Sequence, residues 1–346
     1  MTETSIRIDG RAGCITLQRP DALNALTYDM VLAIEAALDA WREADIDLVV
    51  IDAEGERAFC SGGDISEMYA SGTRGDYDYG RKFWRDEYRL NAKLFEYPKP
   101  VVSFLQGFTM GGGVGVGCHG SHRVVGESSQ IAMPECGIGL VPDVGGSLML
   151  TLAPGRLGEY LGVTSARMGA ADAIYAGFAD HFVPQDQWPT LVSKICATGD
   201  ATLVEAAASP PPEGTLATLQ PDIDTHFKGE DLGDIQRNLR AASDPFAEQA
   251  LKAITRNAPL AMACTLQIVR RLRSATSIRQ ALDMEFRYTY RAMEQGDFIE
   301  GIRAAIIDRD RQPNWAHAAP DQVPPVDVAN MLKPLKDAAL NWENMS

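Results

Sequence analysis

Two glycine turns and three carboxylates are the residues of this chain whose types and spacing could do chemistry. In Gln106-Gly107-Phe108-Thr109-Met110-Gly111-Gly112-Gly113-Val114-Gly115-Val116-Gly117 the glycines let a backbone turn tightly and come close to a ligand. A small-residue helix opening from such a turn directs unpaired N–H groups outward, which suits it to hold a negative oxygen. Glycine content alone fits a loop that only packs a helix closely on a sheet. The second turn, Ala58-Phe59-Cys60-Ser61-Gly62-Gly63-Asp64-Ile65, changes the weighing, because two converging N–H donors are the minimum for an oxyanion hole. Among the acids, Glu135 and Asp143 bracket Cys136-Gly137-Ile138-Gly139-Leu140-Val141-Pro142, a loop too rich in glycine to be a helix. Glu87 shares a helical face with Phe83, Leu90 and Leu94, and a carboxylate on an otherwise apolar stripe needs an explanation. Each acid also has a plainer reading. Glu135 follows a proline and could cap the next segment, Asp143 could be an ordinary helix N-cap, and Glu87 could pair with Arg85 or Arg89.

These residues need elements to position them. Pro100-Val101-Val102-Ser103-Phe104-Leu105 reads as the strand that runs into the longer turn, and Leu48-Val49-Val50-Ile51-Asp52 as the strand before the shorter one, so two sheet edges each present an amide-rich turn. Upstream, residues 5–8 and 14–18 alternate around Asp9-Gly10-Arg11 as a hairpin. Residues 28–44 repeat Met30, Ile34, Ala37, Leu38 and Trp41 at helical spacing, with Thr27 as the N-cap. Residues 65–80 are polar and tyrosine-rich and read as a surface segment that folds over a ligand. Residues 79–97 form the long helix that carries Glu87, residues 122–125 and 130–133 are short strands, and a new helix starts over 144–152. The ββα rhythm recurs without a fixed period. Ser209-Pro210-Pro211-Pro212-Glu213-Gly214 is the best linker in the chain, residues 215–307 are almost all amphipathic helix, and residues 316–346 form a tail whose last helix, about 335–342, is started by Pro334. The expected division is a core over 1–208, a helical region over 209–310 and a tail over 311–346.

Taken together, Arg19-Pro20 with Asn24-Ala25-Leu26, the two glycine turns, Met133-Pro134-Glu135 and Pro142-Asp143-Val144-Gly145-Gly146 resemble the crotonase (enoyl-CoA hydratase/isomerase) superfamily, from about residue 15 to residue 315. Within it the chain resembles the 3-hydroxyisobutyryl-CoA hydrolase branch, to which Phe298-Ile299-Glu300-Gly301-Ile302-Arg303-Ala304 and Pro313-Asn314-Trp315 add. The resemblance implies an α/β fold, a crotonase-like spiral of ββα turns with a helical C-terminal region. In relatives that region covers the active site or packs against other subunits, so a homo-oligomer through the C-terminal helices is expected. It also implies an acyl-CoA substrate, with coenzyme A as part of that substrate, no separate cofactor and no metal. The oxyanion amides would be those of Gly63 and Gly112, and Ser61, Asp64, Ile65 and Glu87 would touch substrate.

An oxyanion hole stabilises either an enolate or a tetrahedral adduct of a thioester, so the carboxylates must decide the reaction. Hydratases of the family place one catalytic glutamate three residues after the second oxyanion glycine. Here that residue is Gly115, which cannot move a proton. Glu135 matches the other hydratase glutamate, and Asp143 stands where hydratases have glycine. The hydrolases carry this pair and a glutamate matching Glu87. The resemblance therefore implies hydrolysis of a short β-hydroxyacyl-CoA, 3-hydroxyisobutyryl-CoA first of all, a step of valine catabolism. Glu135 would attack the carbonyl carbon or activate water, Asp143 would orient it and protonate the departing thiolate, and Glu87 would bind the substrate hydroxyl. Enoyl-CoA hydration and dienoyl-CoA isomerisation are rivals within the family, both weakened by Gly115. A non-catalytic acyl-CoA-binding protein is the rival from another class, and the retained carboxylate pair argues against it.

Composition narrows the setting. The 346 residues, 45% of them hydrophobic, are enough for a substantial core, and a net charge of -15 disfavours nucleic acid or an anionic membrane as partner. An anionic CoA must then be met locally, by helix N-termini and cations such as Arg57. Six scattered cysteines without a Cys-x-x-Cys pair read as reduced thiols in a cytoplasm. Cys60, Cys118 and Cys136 lie beside the presumed site but suit small apolar fillers better than nucleophiles. His119 and His122 have the spacing of neither a zinc helix nor a triad. The first ten residues have no basic stretch or apolar core of a targeting signal, and no apolar run is long enough to span a membrane.

Overall fold

In the computed structural model, which describes residues 3–242 and 244–344, the apolar strands pair into two sheets. Expectations that touch Met1, Thr2 and the last two residues of the tail lie outside the described residues. In chain order the strands are β1 (Thr4–Asp9), β2 (Ala12–Leu17), β3 (Leu48–Ala53), β4 (Ala58–Cys60), β5 (Val101–Phe104), β6 (Phe108–Met110), β7 (His122–Val125), β8 (Gln130–Ala132) and β9 (His181–Phe182). The larger sheet runs β1-β2-β3-β5-β7-β9, antiparallel at the β1-β2 hairpin and parallel beyond it, and the smaller runs β4-β6-β8, all parallel. Successive pairs β3 and β4, β5 and β6, β7 and β8 each give one strand to each sheet. Both sheets thus advance together, and this is the spiral that the resemblance implied.

The residues account for this order. β3 and β5 read as continuous apolar runs, as parallel strands covered on both faces do, and Val49, Val50, Val101 and Val102 are all buried. Cys14, Val50, Val102, Phe104 and Val124 pack with Leu191 and Ile195 of the helix Trp188–Thr198. The first helix, α1 (Tyr28–Arg42), buries Met30, Ile34, Ala37, Leu38 and Trp41, and the Thr27 side chain accepts from the Met30 N–H, as the cap pattern required.

The chain folds into two compact units that interleave in sequence. The first holds Met1–Asp64, Arg89–Ala132 and Arg167–Ala217, with both sheets. The second holds Ile65–Tyr88, Met133–Ala166 and Thr218–Ser346 and is helical. Its members include α2 (Ser66–Thr73), the start of α3 (Asp78–Phe95), and the helices Pro259–Arg271 and Ile278–Gln295; the first unit contributes α4 (Gly112–Gly117), and α5 (Gly146–Leu152) belongs to the second. The proline stretch 209–214 has neither helix nor strand.

Three expectations need correcting. The strands that carry the glycine turns are not β3 and β5 but the short β4 and β6 that follow them, because the chain leaves the larger sheet and re-pairs in the smaller one. Residues 65–80 are not a surface segment throughout: α2 buries Met68, Ser71 and Gly72, and a Cβ at Gly72 would lie 2.4 Å from Ile299 Cδ1. In the tail the regular helix is Pro325–Leu332, while 335–342 holds the 3-10 turn Lys336–Ala338 and the start of a second, Trp342–Asn344. Among the described residues no helix is long and apolar enough to cross a membrane, and no three His, Cys, Asp or Glu side chains are grouped to hold a metal.

Candidate active site

In the first unit the two glycine turns leave neighbouring strands of one sheet, since β4 pairs with β6. The shorter turn is moulded by the segment before α1. Leu26 N–H donates to Gly62 O at 2.8 Å and Asp64 N–H donates to Leu26 O at 2.8 Å, so Gly63 faces Leu26 as a bridged pair. In a ladder the residue between two such bonds directs its own N–H to the other side, which leaves the Gly63 amide aimed away from Leu26. Arg19-Pro20 and Asn24-Ala25-Leu26 now have a physical role. Asn24, in the left-handed region at φ 53, donates through Nδ2 to Glu54 O and Ala58 O, and Arg19 reaches Ala25 O and, at 3.1 Å, the Asp64 carboxylate. Ser61, Asp64 and Ile65 are half-buried around this turn, with Ile65 at the N-cap of α2.

The longer turn lies beside the shorter. Gly111 at φ 51 reverses the chain between β6 and α4. The Val114 and Gly115 N–H groups donate to Gly111 O, whereas Gly112 opens the helix, where an N–H has no partner within it. A Cβ placed on Gly62 would lie 3.4 Å from Met110 O and 4.0 Å from Gly112 N, which measures how closely the turns approach. Gly115 is buried, and its carbonyl accepts from Asn91 Nδ2 at 3.1 Å. No acid or base stands at that position.

In the second unit Glu87, Glu135 and Asp143 are 3%, 4% and 4% exposed, and a fourth carboxylate, Glu285 from the helix Ile278–Gln295, is fully buried. The plainer readings of the acids are answered by their contacts. The N-cap of α5 is Gly145, and the Asp143 Oδ2 instead accepts from the Tyr88 hydroxyl at 2.8 Å. Glu135 opens a 3-10 turn, Glu135–Ile138, without a side-chain cap, and its Oε2 is buried with no hydrogen-bond partner among the described residues. In the first unit Arg89 is engaged by Glu35, 2.5 Å from each carboxylate oxygen, and in the second Arg85 lies over the Phe286 ring.

An unpartnered buried carboxylate oxygen is expensive unless something polar or a proton meets it. Burial, and after it the charge of Asp143, raises Glu135 and Glu87 well above the carboxylic range. Burial lifts Asp143 from 3.8 to about 7 against the opposing Tyr88 hydrogen bond, and lifts Glu285 from 4.5 to about 8. So many acids in one buried cluster cannot all ionise near neutral pH, and some of them hold protons there.

The sequence reading missed Tyr88 and Glu285. Tyr88 directly follows Glu87, and an aromatic hydroxyl beside a buried acid was a usable signal. Glu285 carried the same signal as Glu87, since it lies three and four residues from Leu282, Ala281 and Tyr288 on an otherwise apolar helical stripe.

Raised acids make stability fall with pH. Between its ordinary value of 3.8 and its folded value of about 7, Asp143 holds a proton that the unfolded chain has lost, so raising pH favours unfolding across that window. The contribution is fully present below the ordinary value and is lost as pH rises through the folded one. Asp143→Asn removes this term, so its melting temperature relative to the parent is expected to rise from pH 5 to pH 8. Scanning calorimetry at the two pH values reads it, and a difference that stays flat or shrinks contradicts the burial argument.

A spiral of ββα turns with two glycine turns on one sheet, and in the helical unit a buried acid cluster, are the features of the class of protein. The chain belongs to the enoyl-CoA hydratase/isomerase family, enzymes that work on acyl-CoA thioesters: residues 12–332 match it. It is 35% identical over 338 residues to the Gallus gallus protein named 3-hydroxyisobutyryl-CoA hydrolase, mitochondrial, covering 94% of this chain and 87% of that one. Among solved structures, an enoyl-CoA hydratase from Rhodobacter sphaeroides 2.4.1 is 55% identical with TM-score 0.95, covering 98% of this chain and 100% of that one. A carnitinyl-CoA dehydratase from Mycobacterium thermoresistibile is 40% identical with TM-score 0.94, covering 99% of each.

Proposed function

We propose that this protein hydrolyses the thioester of a short β-hydroxyacyl-CoA, with 3-hydroxyisobutyryl-CoA as the leading substrate. The relatives differ in the reaction their names give, hydrolase in one set and hydratase or dehydratase in the other, so this chain's own groups have to decide. The observation that carries the reading is the distribution of acids. Gly115 leaves hydration without one of its two proton-moving groups, while Glu135 and Asp143 belong to a buried cluster that shares protons.

In this reading the Gly63 and Gly112 amides bind the thioester oxygen as it becomes an oxyanion. A Glu135 carboxylate oxygen bonds to the carbonyl carbon, the carbon–sulfur bond breaks, and the CoA sulfur leaves with the proton that Asp143 carries. Water then opens the mixed anhydride, gives its proton to Asp143 and restores Glu135. If Glu135 instead activates water for direct attack, no oxygen enters its carboxyl, and a single turnover in oxygen-18 water followed by peptide mass analysis separates the routes. Glu87 pairs with the substrate hydroxyl, so that an analogue without it leaves a buried polar group unmatched. Ser61, Asp64 and Ile65 line the approach to the first amide. The homo-oligomer through the C-terminal helices and the cytoplasmic location belong to the same proposal, read by sedimentation and by cell fractionation.

The test is a substrate panel. Release of free CoA from 3-hydroxyisobutyryl-CoA and 3-hydroxypropionyl-CoA is followed with a thiol reagent, beside hydration of crotonyl-CoA and isomerisation of a dienoyl-CoA. CoA release that dominates supports the reading, and turnover confined to the last two substrates ends it.

A further inference from the structure

The helix Ile278–Gln295 holds the segment that contains the acid pair at two points and meets its Tyr88 partner at a third, all along one face. Tyr288 Oη donates to Gly139 O at 3.0 Å, in the middle of that loop. Glu285 Oε2 accepts from Gly145 N–H at 2.9 Å, and its Oε1 accepts from Ser147 N–H at 3.1 Å and from the Ser147 hydroxyl. Thr289 Oγ1, one helical turn after Glu285, lies 3.4 Å from the Tyr88 oxygen whose proton goes to Asp143. All three helix residues are fully buried.

What the middle contact holds is a costly piece of backbone. Val144 at φ 53 and Gly145 at φ 81 are consecutive left-handed residues immediately after Asp143, and a β-branched side chain in that region is rare. Such a conformation persists only where its surroundings over-determine it. Three donors from Gly145 and Ser147 converge on one buried carboxylate, a geometry that an amide side chain matches only in part, because its NH₂ would face an N–H. We infer that Glu285 is a positioning residue for the acid pair: it clamps the turn from Asp143 to Ser147 in the conformation that delivers the Asp143 carboxyl to Tyr88.

The clamp has a second, electrostatic consequence. The titratable groups that act most strongly on one another in this cluster are Glu87, Tyr88, Glu135, Asp143 and Glu285, and Glu285 adds to burial and Asp143 in raising Glu135. Above about pH 8, where Glu285 is ionised, replacing it with a neutral residue of the same shape should therefore lower the pKa of the pair that governs turnover, an effect that a packing residue alone would not have.

The inference uses the hydrolase reading only to choose the reaction that is timed. For Glu285→Gln, expected results are a kcat about 10- to 100-fold lower with KM within about threefold, as for a small misplacement of a catalytic group. The rate profile above about pH 8 should move to lower pH, and amide exchange by mass spectrometry should quicken over residues 143–152. A folded Glu285→Gln protein with unchanged kcat, rate profile and exchange overturns the inference. If Glu285→Gln does not fold, Ser147→Ala removes one hydroxyl from the clamp. It should then give a smaller loss of kcat and a smaller gain in exchange in the same segment, and no change in either overturns the inference. A parent enzyme that releases no CoA refutes the hydrolase reading instead, and the exchange measurement still decides on the clamp.

Discussion

Glu135→Gln is expected to lower kcat for CoA release by about 10²–10⁴-fold while leaving the affinity for free CoA within a few-fold of the parent. That loss is about 3 to 5 kcal/mol of transition-state stabilisation. An amide keeps the shape of the side chain and its contacts, but it neither adds to a carbonyl carbon nor takes a proton from water. The substitution also removes an acid that the fold has forced into a buried place with one oxygen unmatched, so the variant should melt no lower than the parent at neutral pH. Loss of turnover with retained stability and retained CoA binding distinguishes a reacting group from a structural one. A binding protein without catalysis would show no turnover to lose, and a Glu135→Gln enzyme that still turns over at the parental rate would transfer the chemistry to another acid of the cluster.

Gly113→Ala is the second large effect, and it acts through the other unit. A Cβ on Gly113 would lie 2.3 Å from Cys60 O, 2.9 Å from Cys60 Cβ and 3.0 Å from Cys60 C, all within the end of β4. Backbone cannot yield as a side-chain tip does, so one turn must move away from the other. We expect about 1–3 kcal/mol of lost stability from this overpacking. Because Gly63 follows Cys60 by three residues and Gly112 directly precedes the substituted glycine, the spacing of the two amides changes as well, and loss of one oxyanion donor costs about 10²–10³ in kcat. Gly169→Ala is the matched control: at φ -74 with nothing within 4 Å of its Cβ, it should change neither melting temperature nor rate. A Gly113→Ala enzyme with parental kcat would show that the closeness of β4 and α4 has no bearing on the reaction.

The acid cluster and the glycine contacts express one trade between stability and function. A chain selected only for stability would not bury Glu87, Glu135, Asp143 and Glu285 together, since desolvating a charge costs more than most contacts return. Nor would it place Val144 in the left-handed region. Both features cost folding free energy and are retained where acids must differ in proton affinity. The offset comes from ordinary sources: the apolar parallel strands of the larger sheet, the well-capped α1, and the Glu35 carboxylate held by Arg89 and Lys93. On the proposed hydrolase reading, stabilising substitutions within the cluster are easy to find and costly to activity.

Much of this was legible in the residues alone. Hydrophobic period and cap chemistry are local, so the β1-β2 hairpin, α1 with its Thr27 cap and the long helix through Glu87 followed from neighbours within a few positions. The amide-rich turns were visible because glycine runs have few other uses, and Glu135 and Asp143 because they flank a loop too rich in glycine for an α-helix. Only the tertiary structure decided the rest, through pairings between residues far apart in the chain. Strand partnership placed both turns on β4 and β6 of a small sheet rather than on the edges of the large one, since register is settled by non-local burial. Glu285 lies 140 residues from the Gly145 amide from which it accepts, and although its helical spacing put it on an apolar stripe, its partner came only with the fold. The proton affinities arose in the same way, because an acid's strength depends on what surrounds it, and those surroundings come from segments that meet only when the chain has folded.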